Sequence, residues 1–147
     1  MPRRRISLIA LAVVVFLAIS LALARWLSTE GVERDKIHTL LQAEARGDAA
    51  AMLNQLRGCG DAACRAIVAR NARTLKRRGD VKIVSYESGT SYALGSATGK
   101  TRVAWTSLQQ GLVEVQCVTV RRSGSALAGR SVTLLRISAP IDRQGSC

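Results

Sequence analysis

Residues 61–86 read DAACRAIVARNARTLKRRGDVKIVSY, and within them the spacing of apolar side chains changes from helical to extended. Cys64, Ile67, Val68, Asn71 and Leu75 fall at i, i+3, i+4 and i+7 intervals, the stripe of an amphipathic helix. Asp61 stands where a helix cap belongs, since its carboxylate can accept the unpaired N–H groups of a first turn. Gly79-Asp80 stops the run, so a helix is expected from Asp61 to about Arg78. From Val81 the period is two: Val81-Lys82-Ile83-Val84-Ser85-Tyr86 alternates as a half-buried strand does. A helix giving way to a strand at one glycine predicts an α+β domain.

Toward the amino terminus two more helices precede this one. Ile37, Leu40, Leu41 and Ala45 recur at helical spacing, which predicts an amphipathic helix over about 30–46. Gly47 ends it, and Asp48 caps a short helix through Leu56 with Met52, Leu53 and Leu56 inward. Toward the carboxyl terminus the alternation returns at Tyr92–Leu94, Arg102–Trp105, Val113–Cys117 and about Ser131–Ala139. Turn residues separate these segments at Ser88-Gly89, Thr98-Gly99, Gln110-Gly111 and Ser123-Gly124, and Pro140 ends the last. Short connections imply an antiparallel meander of about five strands, curved under about three helices.

Ile6–Ala24 is a run of nineteen uncharged residues interrupted only by Ser7 and Ser20. As a helix it is about 28 Å long, close to the thickness of a hydrocarbon core. It has no polar face, which sets it apart from a buried core helix. Arg3, Arg4 and Arg5 crowd one end and Arg25 the other, an asymmetry that places the short tail in the cytoplasm and the rest outside. Trp26 falls where an interfacial aromatic anchors. The expected organisation is a basic cytoplasmic tail (1–5), a single-pass transmembrane anchor (6–27) and an extracytoplasmic domain (28–147). Cleavage after Ala22-Leu23-Ala24, a small-x-small site, is the alternative, giving a secreted protein; the length of the apolar run favours the uncleaved anchor.

Four cysteines, Cys59, Cys64, Cys117 and Cys147, all follow the anchor. An even count in a small exported domain reads as disulfides, with three pairings open. Cys59–Cys64 would pin the start of the third helix. Cys117–Cys147 would need the tail after Pro140 to fold back along the sheet, within its reach of about 25 Å. This pairing is favoured. Zinc is disfavoured because the short paired knuckles are missing, and there is no Cys-x-x-Cys redox motif.

The stretch Leu40–Leu53, LLQAEARGDAAAML, resembles the opening of the NTF2-like (cystatin-like) superfamily, where a long helix ends in Gly-Asp before a helix of small residues. The resemblance implies a curved antiparallel sheet around the helices, and a cone-shaped pocket that Trp105 and Tyr86 would line. Isomerases of that superfamily pair an acid with a tyrosine or second acid. The strand carboxylates here, Glu87 and Glu114, sit in no such motif, and fold alone does not select a function.

No catalytic set emerges. His38 is the sole histidine and has no apparent partner for general base chemistry. No cofactor motif is present. Residues 28–147 carry eighteen Lys+Arg against ten Asp+Glu. Arginine outnumbers lysine eighteen to four over the chain, a bias that fits a GC-rich bacterial genome and dilutes the meaning of the charge. On the third helix, however, Arg65, Arg70, Arg73, Lys76 and Arg77 fall opposite the apolar stripe. That face is the candidate surface for an anionic lipid, envelope polymer or acidic protein. Nucleic acid is disfavoured by compartment and by the absence of an aromatic platform. The expected function is that of a non-enzymatic, membrane-tethered accessory or binding domain, the alternative being a small-ligand pocket or enzyme of the NTF2-like type.

Overall fold

A computed structural model describes residues 2–90, 95–125 and 129–147, with the side chains of all of these except 2–5, 25–27, 125 and 129. Helix α1 runs unbroken over Pro2–Arg46. The anchor expected at 6–27 and the amphipathic helix expected over about 30–46 are thus one helix, which passes straight from one into the other. Nothing there breaks it: the segment holds no proline, and Gly31 sits on an exposed helical surface. Residues 6–24 are exposed throughout, and the apolar stretch is long enough to cross a membrane. The side chain of Trp26, read as an interfacial anchor, lies outside the described residues.

From Thr29 onward α1 becomes a core helix. Ile37, Leu40, Leu41, Ala43 and Ala45 are completely buried. Helix α1 closes at Gly47, whose φ of 77° is a left-handed conformation that glycine adopts without a Cβ clash. Helix α2 spans Ala49–Gln55, and its cap Asp48 accepts the Ala51 N–H at 2.9 Å. Helix α3 spans Ala62–Thr74, capped by Asp61 through the Cys64 N–H at 2.8 Å. The third helix thus ends four residues before the expected Arg78, so Lys76 and Arg77 leave the helical face on which the periodicity put them.

Four strands follow: β1 (Val81–Glu87), β2 (Ala97–Ser107), β3 (Val113–Ser125) and β4 (Gly129–Ile137). They form one antiparallel meander in the order β1-β2-β3-β4. Four strands are described where five were expected, and the strand expected at Tyr92–Leu94 lies outside the described residues. One sheet face packs on the helices through Ile83, Val103, Trp105, Val118, Val120, Val132 and Leu134. Trp105 and Tyr86, expected to line a pocket, belong to this layer. Trp105 has no exposed surface and Tyr86 packs against the core.

Among the described residues, polar groups take up part of the main chain at both sheet edges. On β1, the Val81 carbonyl contacts His38 Nε2 at 2.9 Å and the Val81 N–H donates to Gln42 Oε1 at 3.0 Å. On β4, Lys36 Nζ donates to the Val132 carbonyl at 2.5 Å, and the Arg57 N–H donates to the Leu134 carbonyl at 2.9 Å. Side chains of α1 and main chain beyond α2 thereby occupy edge groups that would otherwise template another strand.

Candidate functional site

The cations of α3 are not one continuous surface. Arg65, Arg70, Arg73 and Lys76 are exposed. Arg65 Nη1 donates to the Gly60 carbonyl at 2.8 Å, holding it against the start of the helix. Arg77 departs from the expectation: its side chain is only 15% exposed and meets Glu114 of β3 at 2.9 Å. Four exposed cations therefore remain along α3 and just past its end, Arg65 among them held by the Gly60 carbonyl. The α3 ridge also lies far from the apolar span. Its end packs on Gly47, and the Arg77 N–H donates to the Ala45 carbonyl at 2.8 Å. At 1.5 Å per residue, that level is about 32 Å along α1 from Ala24.

The carboxylates singled out from sequence have local partners. Glu114 is held by Arg77, and Glu87 lies 3.4 Å from Arg102 on the neighbouring strand. His38, the only histidine, spends its Nε2 on the Val81 carbonyl. Among the described residues no group of three His, Cys, Asp or Glu stands close enough to hold a metal ion.

The structure joins Cys59 to Cys64 and Cys117 to Cys147. The first pair is buried at the start of α3. The second ties the tail to the outer face of the sheet, the face away from the helices. The Ser138 N–H donates to the Cys117 carbonyl and the Ile141 N–H to the Val115 carbonyl. Arg102 then reaches the tail carbonyls of Arg143 and Gly145, and Lys100 Nζ reaches the main-chain oxygen of Cys147 at 3.3 Å. Between tail and sheet lies a groove of about 340 Å³, lined by Lys100, Cys117, Thr119, Arg136, Ser138 and Ser146 among others.

Sequence reading missed two buried carboxylates on α1. Glu33 accepts hydrogen bonds from Thr101 Oγ1 at 2.6 Å, Thr90 Oγ1 at 3.0 Å and Ser88 Oγ at 3.2 Å. Arg122 of β3 completes the shell, its Nη2 lying 2.7 Å from Glu33 Oε2. Burial works against the charged carboxyl, but the Thr101 hydroxyl and the Arg122 guanidinium outweigh it, so Glu33 is held below the usual carboxylate range. Glu44 differs. One oxygen accepts Gln116 Nε2 at 2.9 Å, and Gln116 in turn accepts the Trp105 indole N–H at 2.7 Å. The other oxygen and the nearby Asn71 Oδ1 are buried acceptors without a donor. Burial pushes the Glu44 carboxyl up to about 7. A proton on Glu44 supplies the donor this acid–amide cluster lacks.

No known protein family, no curated protein and no solved structure matches the chain.

Proposed function

We propose that this chain is a single-pass, membrane-tethered protein whose residues 28–147 form an extracytoplasmic accessory domain that binds an anionic envelope component and catalyses no reaction. The observation that carries the reading is the continuity of α1. A fully exposed apolar helix over 6–24 runs without a break into a helix buried by its own domain. Water disfavours such a surface by about 25 cal/mol per Å², whereas a bilayer accepts it. Two disulfides support an oxidising compartment. The basic residues before the span support a cytoplasmic amino terminus.

Binding rather than catalysis is supported by what fills the interior. Trp105 occupies the helix–sheet interface where an NTF2-like ligand pocket would open. The exposed cations are the chemistry left facing solvent. Distance favours an envelope polymer or acidic protein over the chain's own lipid surface as partner of the α3 ridge. The far end of that ridge stands about 32 Å from the span, several times the screening length of about 8 Å in physiological salt.

The test is topology in intact cells. A reporter fused after Cys147 should read extracytoplasmic, the four cysteines should resist alkylation until reduced, and the chain should stay in the membrane fraction after alkaline washing. A cytoplasmic reporter with four free thiols would overturn the reading. Release of a mature chain beginning near Arg25 would replace the anchor by a cleaved signal.

A further inference from the structure

The outer face of the sheet carries an ordered set of cations that helical periodicity did not reveal. Strand register places Thr98 of β2, Arg121 of β3 and Thr133 of β4 side by side in one row. The adjacent row is Lys100, Thr119 and Arg136. Each row alternates hydroxyl and cation, and the two rows are offset, so the six residues form a checkerboard. Lys100, Arg121 and Arg136 are exposed, as is Thr98, and Thr119 and Thr133 are half-buried.

On β4 a bulge sets Leu135 between Thr133 of the first row and Arg136 of the second. Asp61 reaches in from the margin to pair with Arg136. The tail covers the neighbouring row at Cys117 and brings Cys147 beside Lys100, and Lys100, Thr119 and Arg136 line the groove between tail and sheet. Diagonal neighbours on a sheet lie about 7–8 Å apart, and second-neighbour strands about 10 Å apart. Lys100 is therefore about 8 Å from Arg121 and about 10 Å from Arg136, with threonine hydroxyls between them, and the bulge at Leu135 lengthens the third side, from Arg121 to Arg136. Hydroxyls and guanidinium groups both donate to phosphate oxygens.

We propose that this face binds a linear phosphodiester polymer, with successive phosphates seated on Lys100, Arg121 and Arg136 and steadied by Thr98, Thr119 and Thr133. The proposal rests on the tethered-domain reading and gives an anionic partner a place on the sheet, apart from the α3 ridge, and a chemistry. It stands on spacing as well as charge: the α3 ridge carries more cations, but its one interleaved hydroxyl, on Thr74, already donates to the Arg70 carbonyl. A chain of phosphates laid across the strands can meet the three cations in turn.

The experiment uses full-length protein in zwitterionic nanodiscs and an oligomeric glycerol phosphate as probe, with oligogalacturonate as the carboxylate counterpart. Binding is measured by titration at several salt concentrations. Lys100→Gln/Arg121→Gln/Arg136→Gln should weaken phosphodiester binding at least tenfold. It should also flatten the logarithmic salt dependence by about 2, near 0.7 for each phosphate no longer neutralised. Arg65→Gln/Arg70→Gln/Arg73→Gln removes the same charge from α3 and should change affinity less than twofold. Equal losses from both variants would overturn the proposal, since net charge alone would then explain binding. So would no binding by the parent protein, or equal binding of the carboxylate polymer. If loss of the Arg136–Asp61 pair unfolds the triple variant, Lys100→Gln/Arg121→Gln decides against Arg65→Gln/Arg73→Gln by the same comparison. Binding in nanodiscs does not depend on membrane orientation, so a failed topology test and a failed binding test are separate results.

Discussion

Arg122 of β3 meets Glu33 of α1 at 2.7 Å, with their side chains 1% and 0% exposed. The two residues are 89 positions apart, and the contact fixes the sheet to the helix at the end of the domain nearest the apolar span. Three hydroxyls from the β1–β2 connection and β2 share the carboxylate. The charge is thus surrounded by donors, the condition under which a buried ion pair is tolerated.

Breaking that pair from one side should be costly. Glu33→Leu or Arg122→Met alone leaves a buried charge uncompensated and should lower stability by about 3–5 kcal/mol. Replacing both, as Glu33→Leu/Arg122→Met, should cost less than the two single losses added. Urea unfolding of the four proteins measures the coupling, and additivity within about 0.5 kcal/mol would show that the contact carries no specific energy.

Glu44 predicts a pH dependence of opposite sign to that of an ordinary paired carboxylate. Its folded pKa, about 7, lies above the unfolded value of 4.5. The folded state therefore holds a proton that the unfolded state has released. The stabilisation is complete below about pH 4.5 and is lost as pH rises through about 7, a change on the order of 3 kcal/mol. Glu33 is shifted downward, so its contribution instead fails as pH falls below the usual carboxylate range. Glu44→Gln keeps the shape without the titration. It should match the parent at about pH 4 and be the more stable protein at about pH 8 by chemical denaturation.

Gly89 lies between two of the hydroxyls that bind Glu33. A Cβ placed there would sit 2.2 Å from the Lys100 carbonyl oxygen, and the obstacle is backbone that cannot move aside. Gly89→Ala should separate β1 from β2 at this end and withdraw Ser88 and Thr90 from the carboxylate. A loss of at least about 2 kcal/mol is expected, with accelerated amide exchange confined to the start of β2.

The two disulfides should contribute unequally. They close loops of 5 and 30 residues, which in the chain-entropy account correspond to about 2 and about 3.6 kcal/mol. Cys117→Ser/Cys147→Ser should therefore lower the melting temperature more than Cys59→Ser/Cys64→Ser. Because Cys147 is exposed while Cys59 and Cys64 are buried, a mild reductant should open the tail bond first. Mass spectrometry of partly reduced, alkylated protein identifies which pair opens.

Much of the frame is written in local pattern. Asp48 and Asp61 announce the starts of α2 and α3 by capping chemistry, and the alternation after Gly79 announces the sheet. Other features depend on partners far away in the chain. Glu33 and Glu44 lie on the same helical stripe as Ile37, Leu40 and Leu41, and that spacing was the available sign that both are buried. Their partners, Arg122 and Gln116, come into view only once strand register is known. Arg77 was misplaced for a similar reason. The helix ends at Thr74, and Glu114, 37 residues on, draws the side chain under the sheet. The checkerboard was hidden because period-two reading tells which face a residue takes but not which neighbour on the next strand it meets.

The seamless α1 also makes the domain a rigid pointer. In a bilayer, the distance from Ala24 to Arg46 is a lever arm of about 33 Å. Tilting the span by about 10°, within the range set by ordinary thickness mismatch, would swing the far end of the domain sideways by about 6 Å. Lipid composition would thereby set which way the protein leans, and how far from the bilayer its distal turn can touch a neighbour.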